Sequence, residues 1–132
     1  DGHLINDFPV IRSRAVDILG ITGSLQTIEF LVDILNYEWD DYVINSIIRS
    51  LGNLQSDKND IITNGISNYC STNENNSSQR YLHQVLFTVK KLKSYNGTTN
   101  IKLLELITQI FLKSSSRITK ELALDTINSL KK

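Results

Sequence analysis

Cysteine is nearly absent from this sequence and methionine wholly so: Cys70 is the only thiol in 132 residues. One thiol closes no internal disulfide and offers no paired metal ligand, so neither a disulfide scaffold nor a zinc module is encoded. A reducing compartment, the cytoplasm, is the expected setting. Proline occurs once and glycine six times, which excludes a low-complexity or collagen-like chain. The two histidines, His3 and His83, lie far apart in the sequence, and neither stands in a Cys/His/Asp spacing that metal chemistry requires. No run of eighteen apolar residues is present, so no membrane contact by a spanning helix is expected. A phosphate-binding glycine loop and a nucleophile elbow are missing as well. No enzymatic activity, no metal and no cofactor are expected. The chain opens Asp-Gly-His with no basic-then-apolar leader and ends Ser-Leu-Lys-Lys, and is read as a fragment of a longer protein.

What is present is ordinary in amount and uneven in layout. Hydrophobic residues make up 40% and charged residues 21%, enough apolar content for one domain over residues 1–132. The formal net charge is zero. From Asp1 to Glu74, however, four Lys/Arg stand against eleven Asp/Glu, a net −7, and from Asn75 to Lys132 ten stand against three, a net +7. Such asymmetry favours electrostatic contacts, including self-association of the acidic end of one copy with the basic end of another.

The apolar residues recur at helical spacing throughout. Ile11, Ala15, Ile18 and Leu19 form a first stripe, opened by Asp7 or Phe8 with Pro9 and closed at Gly20 and Gly23. Ile28, Leu31, Val32 and Leu35 form a second, ending at the acidic stretch around Trp39. A third carries Val43, Ile47, Leu51 and Leu54, closing at Gly52 and Asn53, and a fourth carries Ile61, Ile62, Ile66 and Tyr69. The polar run at 71–78 reads as a loop. Tyr81 to Leu92 is a fifth helix, ended by Asn96-Gly97; Ile101 to Leu112 is a sixth and Ile118 to Leu130 a seventh.

The odd-numbered helices repeat one another. Ile11, Val43, Tyr81 and Thr119 share one column; Ala15, Ile47, Val85 and Ala123 share the next; Leu19, Leu51, Val89 and Ile127 the third; Gly20, Gly52, Lys90 and Asn128 the fourth. A helix pair recurring every thirty to forty residues, as here, predicts a stacked repeat, because one amphipathic pair cannot cover its own apolar stripe. The repeats run over about 9–38, 40–70, 78–112 and 116–132.

Two segments carry a family resemblance. Ile11-Arg12-Ser13-Arg14-Ala15 through Leu19-Gly20, and Asp40-Asp41-Tyr42-Val43 through Ile47 to Leu51-Gly52, resemble the HEAT-repeat pattern, an acidic turn followed by V-R-x-x-A-x-x-x-L-G. The period and the glycine suit the short, PBS-lyase-like variety. The likeness covers residues 9–70 well and 79–132 loosely. It implies an all-α fold, a right-handed α-α superhelix: a HEAT/armadillo-like solenoid of about 3.5 helical-pair repeats. It further implies that first helices form a convex wall and second helices a concave one.

The candidate binding surface lies on the second helix. At about 100° per residue, Gln26, Phe30, Asp33 and Tyr37 fall within about 60° of one another, opposite Ile28, Leu31 and Leu35. Two aromatics beside a carboxylate suit an interaction face; packing against a neighbouring repeat is the alternative. The matching sixth-helix face is Lys102, Glu105 and Gln109, read as polar and exposed. Asp40 or Asp41 is expected to cap the third helix, and Trp39, Cys70 and His83 are expected to be packing or boundary residues. The expected function is a non-catalytic scaffold binding a protein or peptide on its concave surface. The alternative is nucleic-acid binding by the basic half through Lys90, Lys91, Lys93, Arg117 and Lys120, where lysine-rich solvated faces compete with phosphate contacts.

Overall fold

The computed structural model describes residues 8–54, 57–73, 80–92 and 97–131. Among them every regular element is helical. The helices are α1 (Pro9–Thr22), α2 (Leu25–Leu35), α3 (Asp41–Asn53), α4 (Ile61–Thr72), α5 (Tyr81–Leu92), α6 (Gly97–Lys113) and α7 (Arg117–Leu130), with a 3₁₀ turn at Lys58–Asp60.

The helix ends follow from local chemistry. Pro9 stands at the start of α1, where no donor is lost, and Gly23 closes it at φ 71°, a left-handed conformation that suits glycine. Ser24 caps α2 by accepting from the amide of Thr27. Asp40 caps α3, its Oδ1 accepting from the amides of Tyr42 at 2.9 Å and Val43 at 3.3 Å. At α4 the capping carboxylate comes from further upstream. Asn59 and Asp60 both adopt φ 58°, which folds the chain back and lets buried Asp57 accept from the amides of Ile62 at 2.7 Å and Thr63 at 3.3 Å. The Thr63 hydroxyl donates to the same carboxylate.

The odd helices pack in the order α1, α3, α5, α7, and the even helices α2, α4, α6 form a second row beside them. Between the rows sit Leu31, Leu35, Ile47, Ile48, Leu51, Ile62, Val85, Val89, Leu103 and Ile107, all essentially free of solvent. The predicted columns are buried at Val43, Tyr81 and Thr119, at Ile47, Val85 and Ala123, and at Leu51 and Val89.

The odd row repeats in its atomic contacts as well. Ser50 Oγ donates to the Val16 carbonyl at 3.1 Å and, one step on, Thr88 Oγ1 donates to the Ile48 carbonyl at 2.9 Å. Each hydroxyl sits against a helical glycine of the preceding helix: a Cβ on Gly20 would lie 2.7 Å from Ser50 Cβ, and one on Gly52 would lie 3.0 Å from Thr88 Cγ2. Gly20 is therefore a packing residue inside α1 and not a helix terminator, contrary to the sequence expectation; Gly52 packs in the last turn of α3, which ends at Asn53 as expected. The next step lacks the glycine. Lys90 stands in that column, and Thr126, the counterpart of Ser50 and Thr88, donates to Leu122 of its own helix.

Several other expectations are corrected. In α1 the buried residues are Ser13, Val16 and Gly20, whereas Ile11 and Ile18 are 63% and 64% exposed and Ala15 is exposed. The close approach of α3, with Ser13 hydrogen-bonded to Ser46, selects small residues and turns the bulky stripe outward. Trp39 is exposed, not packed between repeats; its ring lies 5.9 Å from the Arg12 guanidinium. Gly97 opens α6 instead of closing α5. The expected loop at 71–78 is still helical at Ser71 and Thr72. Residues 74–79, His3, Asp7, Lys93, Tyr95 and Asn96 lie outside the described residues.

Candidate functional site

The α2 face exists as an exposed surface. Gln26, Asp33 and the two aromatics all lie outside the core, with Phe30 51% and Tyr37 79% exposed. Phe30 is therefore half covered by its surroundings, whereas Tyr37 stands mostly clear of the described residues. The exposure of Gln26, Phe30 and Asp33 follows from the helical phase, since Ile28, Leu31 and Leu35 on the opposite side are buried against α4 and α3; α2 ends at Leu35, so Tyr37 stands in the turn after it and not on the helix as expected.

Next in the row, α4 turns Asn64, Asn68 and Ser71 outward while Ile62, Ile66 and Tyr69 enter the core. These carboxamides were not singled out from the sequence, although their i, i+4 spacing opposite the isoleucines carries the signal.

On α6 the expected polar patch divides. Lys102 is anchored sideways: Nζ lies 3.3 Å from the Asp60 carboxylate and donates to Asn64 Oδ1 at 3.3 Å. Glu105 and Gln109 are exposed and line a shallow open depression of about 460 Å³ with Ile101, Leu104 and Thr108. Leu112 is exposed on the same side. The outward face of α6 is therefore more apolar than its lysine, glutamate and glutamine suggest.

The basic residues of the second half do not converge. Lys90 pairs with Asp125 at 2.8 Å and Lys91 donates to Asn53 at 2.5 Å, both at the last turn of α5. Arg117 pairs with Glu121 at 3.0 Å, and Lys120 Nζ lies 5.4 Å from the centre of the Phe111 ring. His83, near the start of α5, meets Thr119 at 2.9 Å, so Arg117 and Lys120 lie level with that end. The two basic groups are about 10 Å apart along the helix axis by the rise of α5.

Cys70 packs beside the core, on a small cavity of about 40 Å³ also lined by Tyr81, Leu106 and Lys113. Burial pushes its thiol up to about 12, which holds it protonated and unreactive. The Tyr69 hydroxyl is raised to about 12, by burial first and then by the Asp41 charge, and Tyr81 is raised for the same leading reason. All three groups keep the neutral form in the fold. Their contribution is fully present below the ordinary thiol value of 9 and is lost as pH climbs from there toward 12. A maleimide or disulfide reagent at pH 8 is expected to leave Cys70 unmodified in the native chain, and to label it stoichiometrically in denaturant. Rapid native labelling would show the thiol to be open.

Among the described residues no group of three His, Cys, Asp or Glu side chains could hold a metal ion. No helix there is long and apolar enough to cross a membrane. Comparisons of the chain with protein-family models, curated proteins and solved structures gave no match. The class defined by the fold is that of an all-helical protein, with an outward face on its even helices.

Proposed function

We propose that this chain is a HEAT-type helical-repeat scaffold, one domain of about 3.5 helix pairs, which binds a protein or peptide along its even helices. The observation that carries this reading is the exposure of Phe30 on α2 and of Tyr37 in the turn that follows it, with Gln26 and Asp33 of α2 exposed as well. Exposed aromatics with a polar rim are the residues that anchor interfaces. The repeat assignment is supported by the Ser50-to-Val16 and Thr88-to-Ile48 bonds recurring down the odd row.

The face suits an extended segment. Phe30 and Tyr37 offer ring surfaces at one end, and Ile101, Leu104 and Leu112 offer aliphatic surface at the other. Gln26, Asn64, Asn68 and Gln109 between and beside them carry side-chain amides, each both donor and acceptor, the pairing that a peptide main chain requires. Asp33 and Glu105 favour a basic side chain on the ligand. The basic residues of α5 and α7, turned to local partners, give weaker support to a nucleic-acid function.

The test is selection of peptides from a displayed random library on the immobilised chain, followed by titration with a Phe30→Ala/Tyr37→Ala variant. Selected peptides are expected to bind the variant roughly 10- to 100-fold more weakly, with thermal stability unchanged because both rings are exposed. Peptides that bind parent and variant equally would place the site elsewhere.

A further inference from the structure

Between Arg14 and Arg49 the chain carries six carboxylates, at Asp17, Glu29, Asp33, Glu38, Asp40 and Asp41, and not one lysine, arginine or histidine. The same stretch holds four exposed aromatic side chains, Phe30, Tyr37, Trp39 and Tyr42, between 51% and 79% accessible. Rings and carboxylates without cations complement a positively charged group that can lie over a ring.

The fold shows this chemistry once within the molecule. Arg12 enters from α1, outside the stretch, and its guanidinium lies 5.9 Å from the centre of the Trp39 ring and 3.2 Å from Glu38 Oε2. That oxygen is fixed in turn by the amides of Trp39 and Asp40, which donate to it at 3.1 and 3.2 Å. Of the other carboxylates, Asp17 pairs with Arg49 and Asp40 caps α3. Asp33 has neighbours of the same kind as Glu38. Phe30 stands three residues before it on α2, a spacing that sets the two side chains next to each other. Tyr37 follows in a tight turn, where the amides of Tyr37 and Glu38 donate to the Ile34 carbonyl at 3.1 and 3.0 Å. Among the described residues no cation pairs with Asp33 or lies over the Phe30 or Tyr37 ring.

We infer, resting on the peptide-binding reading of the even helices, that the partner peptide supplies an arginine to Asp33, its guanidinium paired with that carboxylate and laid over one of the flanking rings, Phe30 or Tyr37. Arginine fits better than lysine. A planar guanidinium stacks on a ring and bonds a carboxylate at once, as that of Arg12 does, whereas an ammonium is a compact, strongly hydrated point charge. A phosphate backbone is repelled by the same carboxylates.

The test uses peptides selected on the immobilised chain from a displayed random library. Those that lose affinity for the Phe30→Ala/Tyr37→Ala variant are expected to share an arginine. In a synthetic fluorescent peptide, replacing that arginine by lysine is expected to weaken binding several-fold, and by glutamine roughly 10-fold. Asp33→Asn is expected to weaken the arginine peptide by a similar factor of roughly 10 and the glutamine peptide hardly at all, because the two changes remove one interaction. Circular dichroism checks that the variant keeps its helicity. Added salt weakens the arginine peptide more than the glutamine peptide.

Peptides that need Phe30 and Tyr37 but share no arginine, or that accept lysine without loss, would overturn the arginine and leave the peptide-binding reading standing. Equal losses of the arginine and glutamine peptides on Asp33→Asn would place the arginine away from Asp33. Self-association in light scattering, lost with Asp33→Asn and seen without any peptide, would make a second copy the source of the guanidinium and overturn the peptide as its carrier. Peptides indifferent to Phe30→Ala/Tyr37→Ala would overturn the peptide-binding reading itself.

Discussion

Gly20→Ala is expected to destabilise the fold by about 1–3 kcal/mol, the usual range for overpacking a closed interface. The same exchange at an open helical position would stabilise by up to about 1 kcal/mol, because alanine is the better helix former. The sign is decided by Ser50. The added Cβ would lie 2.7 Å from Ser50 Cβ and 3.1 Å from its Cα, and a backbone atom cannot rotate away. Relief requires α1 and α3 to separate, which lengthens the 3.1 Å bond from Ser50 Oγ to Val16 and disturbs the Ser13–Ser46 pair. Gly20→Val adds a branched side chain at the same point and is expected to cost more, about 3 kcal/mol or above. Urea titration measures both. Combining Gly20→Ala with Ser50→Gly is expected to be less harmful than the sum of the single changes, since the two shortest contacts, to Ser50 Cβ and Oγ, are removed with the side chain. Strict additivity would mean that the two helices do not meet at these residues.

Tyr81→Ala has the second large effect, about 3–5 kcal/mol. Tyr81 is among the largest fully buried side chains. Its ring meets that of Tyr69 edge-on, with centroids 5.1 Å apart and planes at 75°, and its hydroxyl donates to the Asn73 carbonyl at 3.2 Å. One residue thus ties the first turn of α5 to the end of α4. Tyr81→Phe keeps the ring and loses only that hydrogen bond, so about 1 kcal/mol is expected. Denaturant midpoints for the two variants separate packing from hydrogen bonding. Equal losses would assign the effect to the hydroxyl.

How much of this was legible in the sequence depends on what each helix packs against. In α3 and α5 the apolar stripe faces the second row, so Val43, Ile47 and Leu51, and Tyr81, Val85 and Val89, could be read as core from spacing alone. In α1 the apolar residues surround the helix, and the side that is buried carries a serine and a glycine. Hydropathy cannot mark a contact whose requirement is smallness. The same limit applies to Asp57: its capping role depends on two successive left-handed residues, Asn59 and Asp60, that no hydrophobic pattern announces. The α2 face was readable because helical phase alone separates Gln26, Phe30 and Asp33 from Ile28, Leu31 and Leu35, whereas Tyr37 lies past the helix end at Leu35. The α6 face was readable at Glu105 and Gln109, which are exposed as expected, but not at Ile101 and Leu112, which are exposed beside them, nor at Lys102, which pairs with Asp60. The basic half was readable as composition and not as a surface, since ion pairing with Asp125 and Glu121 is set by the stacking of α5 on α7.

The most direct measurement is an amide correlation spectrum of the isotope-labelled chain, titrated in parallel with a library-selected peptide and with a short DNA duplex. A scaffold that uses its even helices predicts peptide-induced shifts at Phe30, Asp33, Tyr37, Asn64, Asn68, Glu105 and Gln109, with the odd helices quiet and the duplex without effect at moderate salt. Shifts gathered instead at Lys90, Lys91, Arg117 and Lys120 on adding the duplex, with the even helices silent toward the peptide, would contradict it.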